Sequence, residues 1–159
     1  MEHLGELSIG WASLWCLVWA FLSAILPWMN AEVLILALPA VASSRKELAM
    51  LILIATTGQM AGKCIIYWVA LRGTACPSGR IARAVERWRE RAAANPSSPV
   101  ALVALSSLVG IPPFYVMSAV AGALRMNFGS FFVAGACGRL VRFGAVAFLS
   151  KSALQLIGS

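Results

Sequence analysis

The sequence predicts an all-α integral membrane protein, and three observations predict it: the composition, apolar runs of helix length, and an internal repetition of those runs. Hydrophobic residues make up 60% of the 159 residues and charged residues 12%, and the mean hydropathy is +0.83. Such a chain has too little polar surface to cover a soluble globule. We expect a single membrane domain over residues 1–159, with a first half (9–71), an amphipathic linker helix (78–94) and a second half (98–149).

The first predicted element is an apolar helix over residues 9–26. Trp11, Trp15 and Trp19 recur every four residues on one face, which is typical of a spanning helix with an interfacial or packing stripe. The residues before it include two glutamates and no Lys or Arg, and no small-residue cleavage site follows the apolar run cleanly. We therefore expect a mature helix and not a signal peptide.

Two later runs have the length of spanning helices. Residues 47–71 and 128–149 provide about 25 and about 22 residues, against the roughly 20 that a hydrocarbon core of about 30 Å requires. We expect each run to cross the membrane as one helix.

Each of these spans is preceded by an apolar piece that contains proline, over residues 27–44 and 98–124. The predicted loop breakers are Pro27 and Pro39 in the first piece and Pro112 and Pro113 in the second. Proline removes a backbone donor and disfavours helix at the preceding residue, so we predict broken helices or re-entrant loops. For the second piece, which is long enough to cross, a kinked spanning helix is the alternative.

The order of broken piece and span therefore occurs twice, which predicts a repeat of two re-entrant or broken helices, each followed by a spanning helix. Small residues stand at similar points in the two spans, Gly58 and Gly62 in the first and Gly135 and Gly138 in the second. Duplicated, interrupted segments are typical of transporters with a site near the midplane. Small residues alone would indicate only close helix packing.

The linker over residues 78–94 is amphipathic and carries much of the net charge of +7. Its arginines fall on one helical face, so we expect it to lie flat on the membrane. The charge indicates orientation and anionic lipid, and no nucleic-acid partner is expected. By the positive-inside rule the linker is cytoplasmic. If both broken pieces re-enter, the amino terminus is inside and the carboxyl terminus outside; if residues 98–124 span, the carboxyl terminus is inside.

Chemistry that needs a metal, a cofactor or a nucleophile is not indicated. The four cysteines have no metal-ligand or Cys-x-x-Cys spacing, and His3 is the one histidine. The sequence contains no nucleophile–base pair and no phosphate-transfer motif, so an enzyme is the least favoured class. We expect no metal and no cofactor.

Glu32 is the first candidate for function, because it is an acidic residue that stands alone between two apolar stretches. A carboxylate in hydrocarbon costs roughly 2.5–3.5 kcal/mol on insertion scales. Asn30 is predicted to cap a short helix that has Glu32 in its first turn. A capping role for Glu32 is the alternative to a place on a substrate or ion pathway.

Polar residues in the two spans complete the predicted pathway. Gln59 and Lys63 are four residues apart on one helix face, and Arg139 and Arg142 are three apart on another. Glu32 can neutralise one of the three cations Lys63, Arg139 and Arg142. Any that lie near a membrane surface can extend their charged ends into the headgroup region by snorkelling. A bound anion is the natural complement to the rest. Arg125 is a weaker candidate, for contact with a headgroup.

Several short motifs, taken in order, resemble the DedA superfamily, the bacterial relatives of VTT-domain proteins, and most of all its YqaA-like branch. They are SAILP at 23–27, NAEVL at 30–34, TG at 57–58 followed by Gly62, AGALR at 121–125, Phe131, and GRLVRF at 138–143. The resemblance implies an inner-membrane protein in which two re-entrant loops face one another in an inverted repeat. It also implies lipid translocation, such as undecaprenyl-phosphate recycling in bacteria or phospholipid scrambling in eukaryotic relatives.

The family's acidic residue in the first re-entrant loop corresponds to Glu32. Its second acid, expected after residues 58–62, is replaced here by Lys63, and the arginine that typical members carry beside the second loop's proline is missing. We therefore predict a multi-pass translocase of the bacterial inner (plasma) membrane, flippase or scramblase-like, for a lipid or polyprenyl phosphate. Its partners would be anionic membrane lipids, and the sequence allows a homo-oligomer. The alternatives are a small proton-coupled exporter of cationic or amphipathic compounds and a non-transport membrane scaffold.

Overall fold

The computed structural model describes residues 2–26, 29–73, 79, 83, 86, 87, 90 and 98–157, with side chains from residue 10 to residue 152 in these ranges except that of Ser98. Every element in these ranges is a helix, as predicted. The helices are α1 (Glu2–Ile25), α2 (Ala31–Val41), α3 (Arg45–Leu71), α4 (Ser98–Val109), α5 (Phe114–Ala123) and α6 (Phe128–Ile157).

The chain divides into two compact units. Unit 1 comprises Met1–Gln59 and Leu140–Ser159, and unit 2 comprises Met60–Arg139. Helices α3 and α6 each contribute one part of their length to each unit. The single domain and the two halves predicted from the sequence stay predictions about how the repeat is organised.

In unit 1, α1 and α2 form a helical hairpin. The two helices are separated by residues 26–30 and pack together through a core that includes Ala20 of α1 and Ile35 of α2. The first part of α3 runs parallel to α1, because Cys16 lies 3.5 Å from the carbonyl oxygen of Leu51 and Ser23, two turns further along α1, bonds to residue 59. Helix α2 therefore runs antiparallel to both neighbours.

This hairpin differs from the predicted arrangement, in which residues 9–26 span alone and residues 27–44 form a broken piece by themselves. The break lies between α1 and α2, and a connection of five residues makes them antiparallel partners. Its predicted breaker Pro27 lies outside the described residues. The tryptophans at 11, 15 and 19 are exposed, so the stripe does not pack within unit 1.

Pro39 was predicted to break the chain, and this prediction is wrong. Pro39 lies inside α2, and the helix ends two residues later at Val41. In the last turn a proline removes one helical hydrogen bond, to Ile35, and the amide of the C-cap residue Ala42 still donates to the carbonyl of Leu38 at 2.9 Å. The loss is too small and too near the end to break the helix.

Helix α3 begins two residues before the predicted span because its first turn is capped from both directions. Ser44 Oγ accepts a hydrogen bond from the Glu47 amide at 3.1 Å, and the Glu47 carboxylate accepts one from the Ser43 amide at 2.8 Å. This closely resembles a capping box, which satisfies amide groups at the start of a helix. Helices α3 and α6 are the two described helices that are long and apolar enough to cross a membrane, as predicted.

In unit 2, α4 and α5 form a second hairpin around residues 110–113. Gly110 ends α4 with a φ of +88°, a left-handed conformation that glycine adopts without strain. Ser106 Oγ then donates a hydrogen bond of 2.5 Å to the carbonyl of Pro112, which ties the turn back to α4. Pro112 and Pro113 thus act as loop breakers, as predicted.

The two helices of this hairpin run antiparallel and are individually short. Pro99 near the start of α4 and Leu124 just after α5 line one small apolar pocket. With 12 and 10 residues, the helices are about 18 and 15 Å long, about half of the roughly 30 Å of hydrocarbon. The second piece is therefore a broken helix, and the alternative of one kinked spanning helix is wrong.

Three of the glycines predicted to allow close packing, Gly58, Gly135 and Gly138, lie directly against neighbouring helices. A β-carbon at Gly58 would lie 2.6 Å from the carbonyl oxygen of Leu17, and one at Gly138 would collide with Ser107. A β-carbon at Gly135 would lie 2.8 Å from the ring of Phe114. Because Gly58 has no side chain, α3 can approach α1 closely. Gly135 and Gly138 let α6 approach the hairpin of α4 and α5 in the same way.

Candidate functional site

Glu32 lies at the start of α2 and forms an ion pair with Arg142 of α6. Asn30 is the N-cap of α2, and its side chain accepts a hydrogen bond of 2.9 Å from the Glu32 amide, as predicted. Glu32 thus occupies the first helical turn, where the helix dipole favours a carboxylate. The side chain of Glu32 is 39% exposed and that of Arg142 20%, so the pair is partly shielded from the surroundings.

This pair neutralises one of the three predicted cations. Sequence reasoning left open which cation Glu32 would take, and placed Arg142 with Arg139 as a joint anion contact. In the structure Arg142 has a carboxylate partner within unit 1, while Arg139 belongs to unit 2. The two arginines therefore have different surroundings although they lie three residues apart.

Gln59 is also in unit 1, in a polar contact that the sequence did not predict. Its Nε2 donates a hydrogen bond of 2.6 Å to Ser23 Oγ, which donates in turn to the carbonyl of Ala20 at 2.8 Å. Gln59 is buried, and its Oε1 accepts no hydrogen bond from the described part of the chain. A buried amide oxygen is nearly always bonded in proteins, so Gln59 stays a candidate for the pathway.

In unit 2, Lys63 and Arg139 form what we call the cation cluster. Lys63 is only 4% exposed, and its Nζ lies 5.9 Å from the ring centroid of Tyr115. Arg139 is half-buried, with its guanidinium carbon 4.9 Å from the ring centroid of Phe114. The two cations are close enough for their charges to interact. Aromatic faces attract cations at these distances, which offsets part of the cost of burying them.

The two rings that hold the cation cluster are the first two residues of α5. The N-cap of α5 is Pro113, which provides no side-chain hydrogen bond, and the first turn contains no acidic residue. The first amide groups of a helix have no intrahelical partner, and the helix dipole makes this end positive. Two cations and a positive helix end therefore lie together.

Residues 26–152 match the VTT domain, the domain of the DedA or SNARE-associated family. The match covers well over half of the chain. The chain belongs to the VTT domain family. No curated protein and no solved structure matches it.

Membership of the VTT domain family confirms the resemblance seen in the motifs, while the YqaA-like branch stays a prediction. With α3 and α6, it makes the chain a membrane protein. In this VTT domain the predicted site residues form two groups. Unit 1 holds Asn30, Glu32, Gln59 and Arg142, and unit 2 holds Lys63 and Arg139.

Two other predicted features belong to neither group. Arg125 is exposed, just after the end of α5. Most of the predicted linker helix over residues 78–94 lies outside the described residues, and its described side chains are exposed, namely Arg83, Glu86, Arg87 and Glu90. The described part of the VTT domain contains no group of three His, Cys, Asp or Glu side chains that could hold a metal ion.

Sequence reasoning missed the aromatic partners of the cations. Phe114 and Tyr115 follow two prolines directly, and this position at the start of a half-helix was the available signal. Ser23 and Ser106 were also missed, because a serine in an apolar helix usually bonds to its own backbone. Ser23 does so and in addition receives the Gln59 amide.

Proposed function

We propose that this VTT domain protein is a translocase, flippase or scramblase-like, for a lipid phosphate or polyprenyl phosphate, acting without covalent chemistry. The observation that carries the proposal is the cation cluster at the start of α5. Lys63 and Arg139 are held against the rings of Tyr115 and Phe114. A phosphate group offers the negative charge and the acceptor oxygens that such surroundings stabilise.

The charge balance supports an anionic ligand. The chain has six acidic residues, and Glu32, the one within an apolar stretch, is paired with Arg142. The other five lie in terminal or polar segments. The cation cluster brings two positive side chains together at the start of α5, and an anionic ligand would stabilise them more than a neutral one would.

The second hairpin supports transport over a packing role. Its turn, residues 110–113, interrupts the apolar piece between two short helices, and the first amides of α5 have no intrahelical partner. Polar backbone at membrane depth is tolerated only where it is buried in protein or lines a water-filled cavity. A scaffold would need neither the interruption nor the two cations beside it.

The exporter alternative is less well supported. It requires Glu32 to exchange a proton for a cationic substrate, but the Glu32 carboxylate is paired with Arg142 and lies in the first turn of α2. The guanidinium and the positive end of the helix both attract a carboxylate. Surroundings rich in arginine and lysine would also repel a cationic substrate.

The proposal is tested by reconstituting the full chain into liposomes with a fluorescent lipid phosphate and adding a membrane-impermeant quencher. We expect the protected inner-leaflet fraction to be lost faster than in protein-free liposomes. Equal rates with and without protein would contradict a translocase.

We place the protein in the bacterial inner membrane with the linker over residues 72–99 in the cytoplasm, because its basic residues outnumber Glu86 and Glu90. Helices α1 and α3 run parallel, so the start of α1 would lie on the same outer side as the start of α3. This revises the inner amino terminus expected from the sequence. The revision follows from the α1–α2 hairpin.

Single cysteines introduced at Ser78 and at Ser97, in a cysteine-free background, are expected to react with an impermeant maleimide only after the membrane is permeabilised. A cysteine at His3 is expected to react in intact cells, because α1 begins on the outer side. Labelling of residues 78 and 97 in intact cells would contradict this orientation. Protection of residue 3 would contradict the re-entrant reading of the first hairpin.

A further inference from the structure

The segment that follows α5 has an arginine in a backbone conformation usually left to glycine. Arg125 has a φ of +52°. Its amide donates to the carbonyl of Gly122 at 3.0 Å, and the Met126 amide donates to Ala121 at 3.0 Å. These two bonds form a Schellman motif, in which the left-handed residue is usually glycine because a β-carbon is strained there. Local folding alone therefore favours a residue other than arginine at position 125.

The backbone around Arg125 is fixed by the end of α3. The Tyr67 hydroxyl donates a hydrogen bond to the carbonyl of Met126. The ring of Tyr67 stacks on that of Phe131 with 4.9 Å between centroids. Gly122 packs directly on the backbone of Tyr67, where a β-carbon would collide. The direction in which the Arg125 side chain leaves the fold is thereby set.

Exposed aromatic side chains lie at this same end of unit 2. Trp68 is 43% exposed, and its ring centroid lies 5.6 Å from that of Phe128, which in turn lies 6.1 Å from that of Phe132. Phe128 and Phe132 are also exposed. Aromatic groups of this kind, tryptophan above all, are enriched at the membrane–water boundary. The side chain of Arg125 is exposed and makes no hydrogen bond or ion pair with the described part of the chain.

The basic linker also leaves and returns at this end. Helix α3 ends at Leu71 and is followed by the exposed Arg72, while Pro99, near the start of α4, lines the same pocket as Leu124. Arg125 therefore lies at the end of unit 2 where the described chain enters and leaves the basic linker. Clustered basic residues at a membrane surface attract anionic lipid.

We propose that Arg125 binds the headgroup phosphate of an anionic bilayer lipid and, with the aromatic group of Trp68, Phe128 and Phe132, anchors this end of unit 2 at the membrane surface. This lipid is a resident of the bilayer and not the transported molecule. A guanidinium suits the role because it binds phosphate oxygens in pairs. The backbone strain at position 125 is then offset by the bond between the guanidinium and a lipid phosphate, and not by contacts within the protein.

The proposal is tested by thermal unfolding of the full chain in maltoside micelles, with added phosphatidylglycerol or chain-matched phosphatidylcholine. Phosphatidylglycerol at about a hundredfold excess over its Kd is expected to raise the Tm of the parent by about 5–10 °C, and phosphatidylcholine by much less. Arg125→Gly is expected to start about 1–4 °C above the parent without added lipid, because glycine relieves the left-handed strain. It should then lose at least half of the phosphatidylglycerol shift.

Two further variants make the test specific. Arg125→Lys keeps the charge and the strain, so it should start near the parent and keep most of the shift. Arg45→Gln removes an exposed cation at the start of α3, away from this end, and should keep all of the Tm shift.

A full phosphatidylglycerol shift in Arg125→Gly would overturn the proposal. So would a lower starting Tm in that variant, since Arg125 would then stabilise the fold itself. The readout is independent of transport, so it stands apart from the translocase proposal.

Discussion

Replacing Arg139 by Gln is expected to slow translocation of a labelled lipid phosphate in proteoliposomes by roughly ten- to a hundredfold. Hydrogen bonds to charged groups contribute about 1.5–3 kcal/mol each, and each 1.4 kcal/mol corresponds to about tenfold. Arg139 is half-buried against Phe114 at the positive end of α5, where little water competes with it. Gln keeps much of the shape but removes the charge.

Arg139→Lys tests whether the positive charge alone or the planar shape of the guanidinium is needed. It keeps the positive charge but cannot bind two phosphate oxygens in a fixed plane, so an intermediate loss is expected. Its packing on the Phe114 ring should also weaken. A lysine variant with the parental rate would mean that Arg139 acts only as a point charge.

The matched control is Arg87→Gln, which removes the same charge from an exposed position in the linker. It is expected to change the rate by less than twofold at moderate salt, because exposed charges are screened. Equal losses in the Arg139 and Arg87 variants would mean that the basic chain attracts headgroups in general. The cation cluster would then have no special role.

The second large effect concerns the ion pair of unit 1. Glu32→Gln is expected to destabilise the protein by about 1–2 kcal/mol, since it removes the carboxylate partner of the partly buried Arg142. The Gln side chain can still accept a hydrogen bond, but without charge. The change is measured as a fall in Tm of about 2–8 °C in detergent.

A double-mutant cycle separates the structural part of this effect from a role in transport. Arg142→Gln should destabilise by a similar amount, and the double variant by at least about 0.5 kcal/mol less than the sum, because the two charges are coupled. If Glu32 is also required for transport, the double variant is inactive although it loses less stability than the sum of the two single variants. A double variant that transports at the parental rate would leave Glu32 with only its structural and capping roles.

The helices and their caps could be predicted from sequence because they depend on neighbours in the chain. Apolar runs of 20 or more residues gave α3 and α6, and Asn30 was recognised as an N-cap from its residue type and position. The break at Pro112 and Pro113 follows from proline chemistry that acts on adjacent residues. Family membership was likewise readable from the succession of short motifs.

Contacts between distant segments could not be predicted in the same way. The pairing of α1 with α2, the choice of Arg142 as partner of Glu32, and the rings of Phe114 and Tyr115 beside the cations all depend on tertiary packing. Pro39 shows a related difficulty, which is to predict whether a given proline breaks a helix. Its effect depends on its distance from the helix end, which the sequence does not mark.

An anion pathway is tested by comparing lipids that have identical acyl chains and different headgroups. Proteoliposomes containing the full protein would be given fluorescent lipids that end in a phosphate, a neutral hydroxyl or an ammonium group. We expect the protein to accelerate movement of the phosphate lipid at least about tenfold more than that of the other two, which corresponds to about 1.4 kcal/mol of selectivity. Equal acceleration of all three, or faster movement of the ammonium lipid, would contradict an anion pathway at the start of α5.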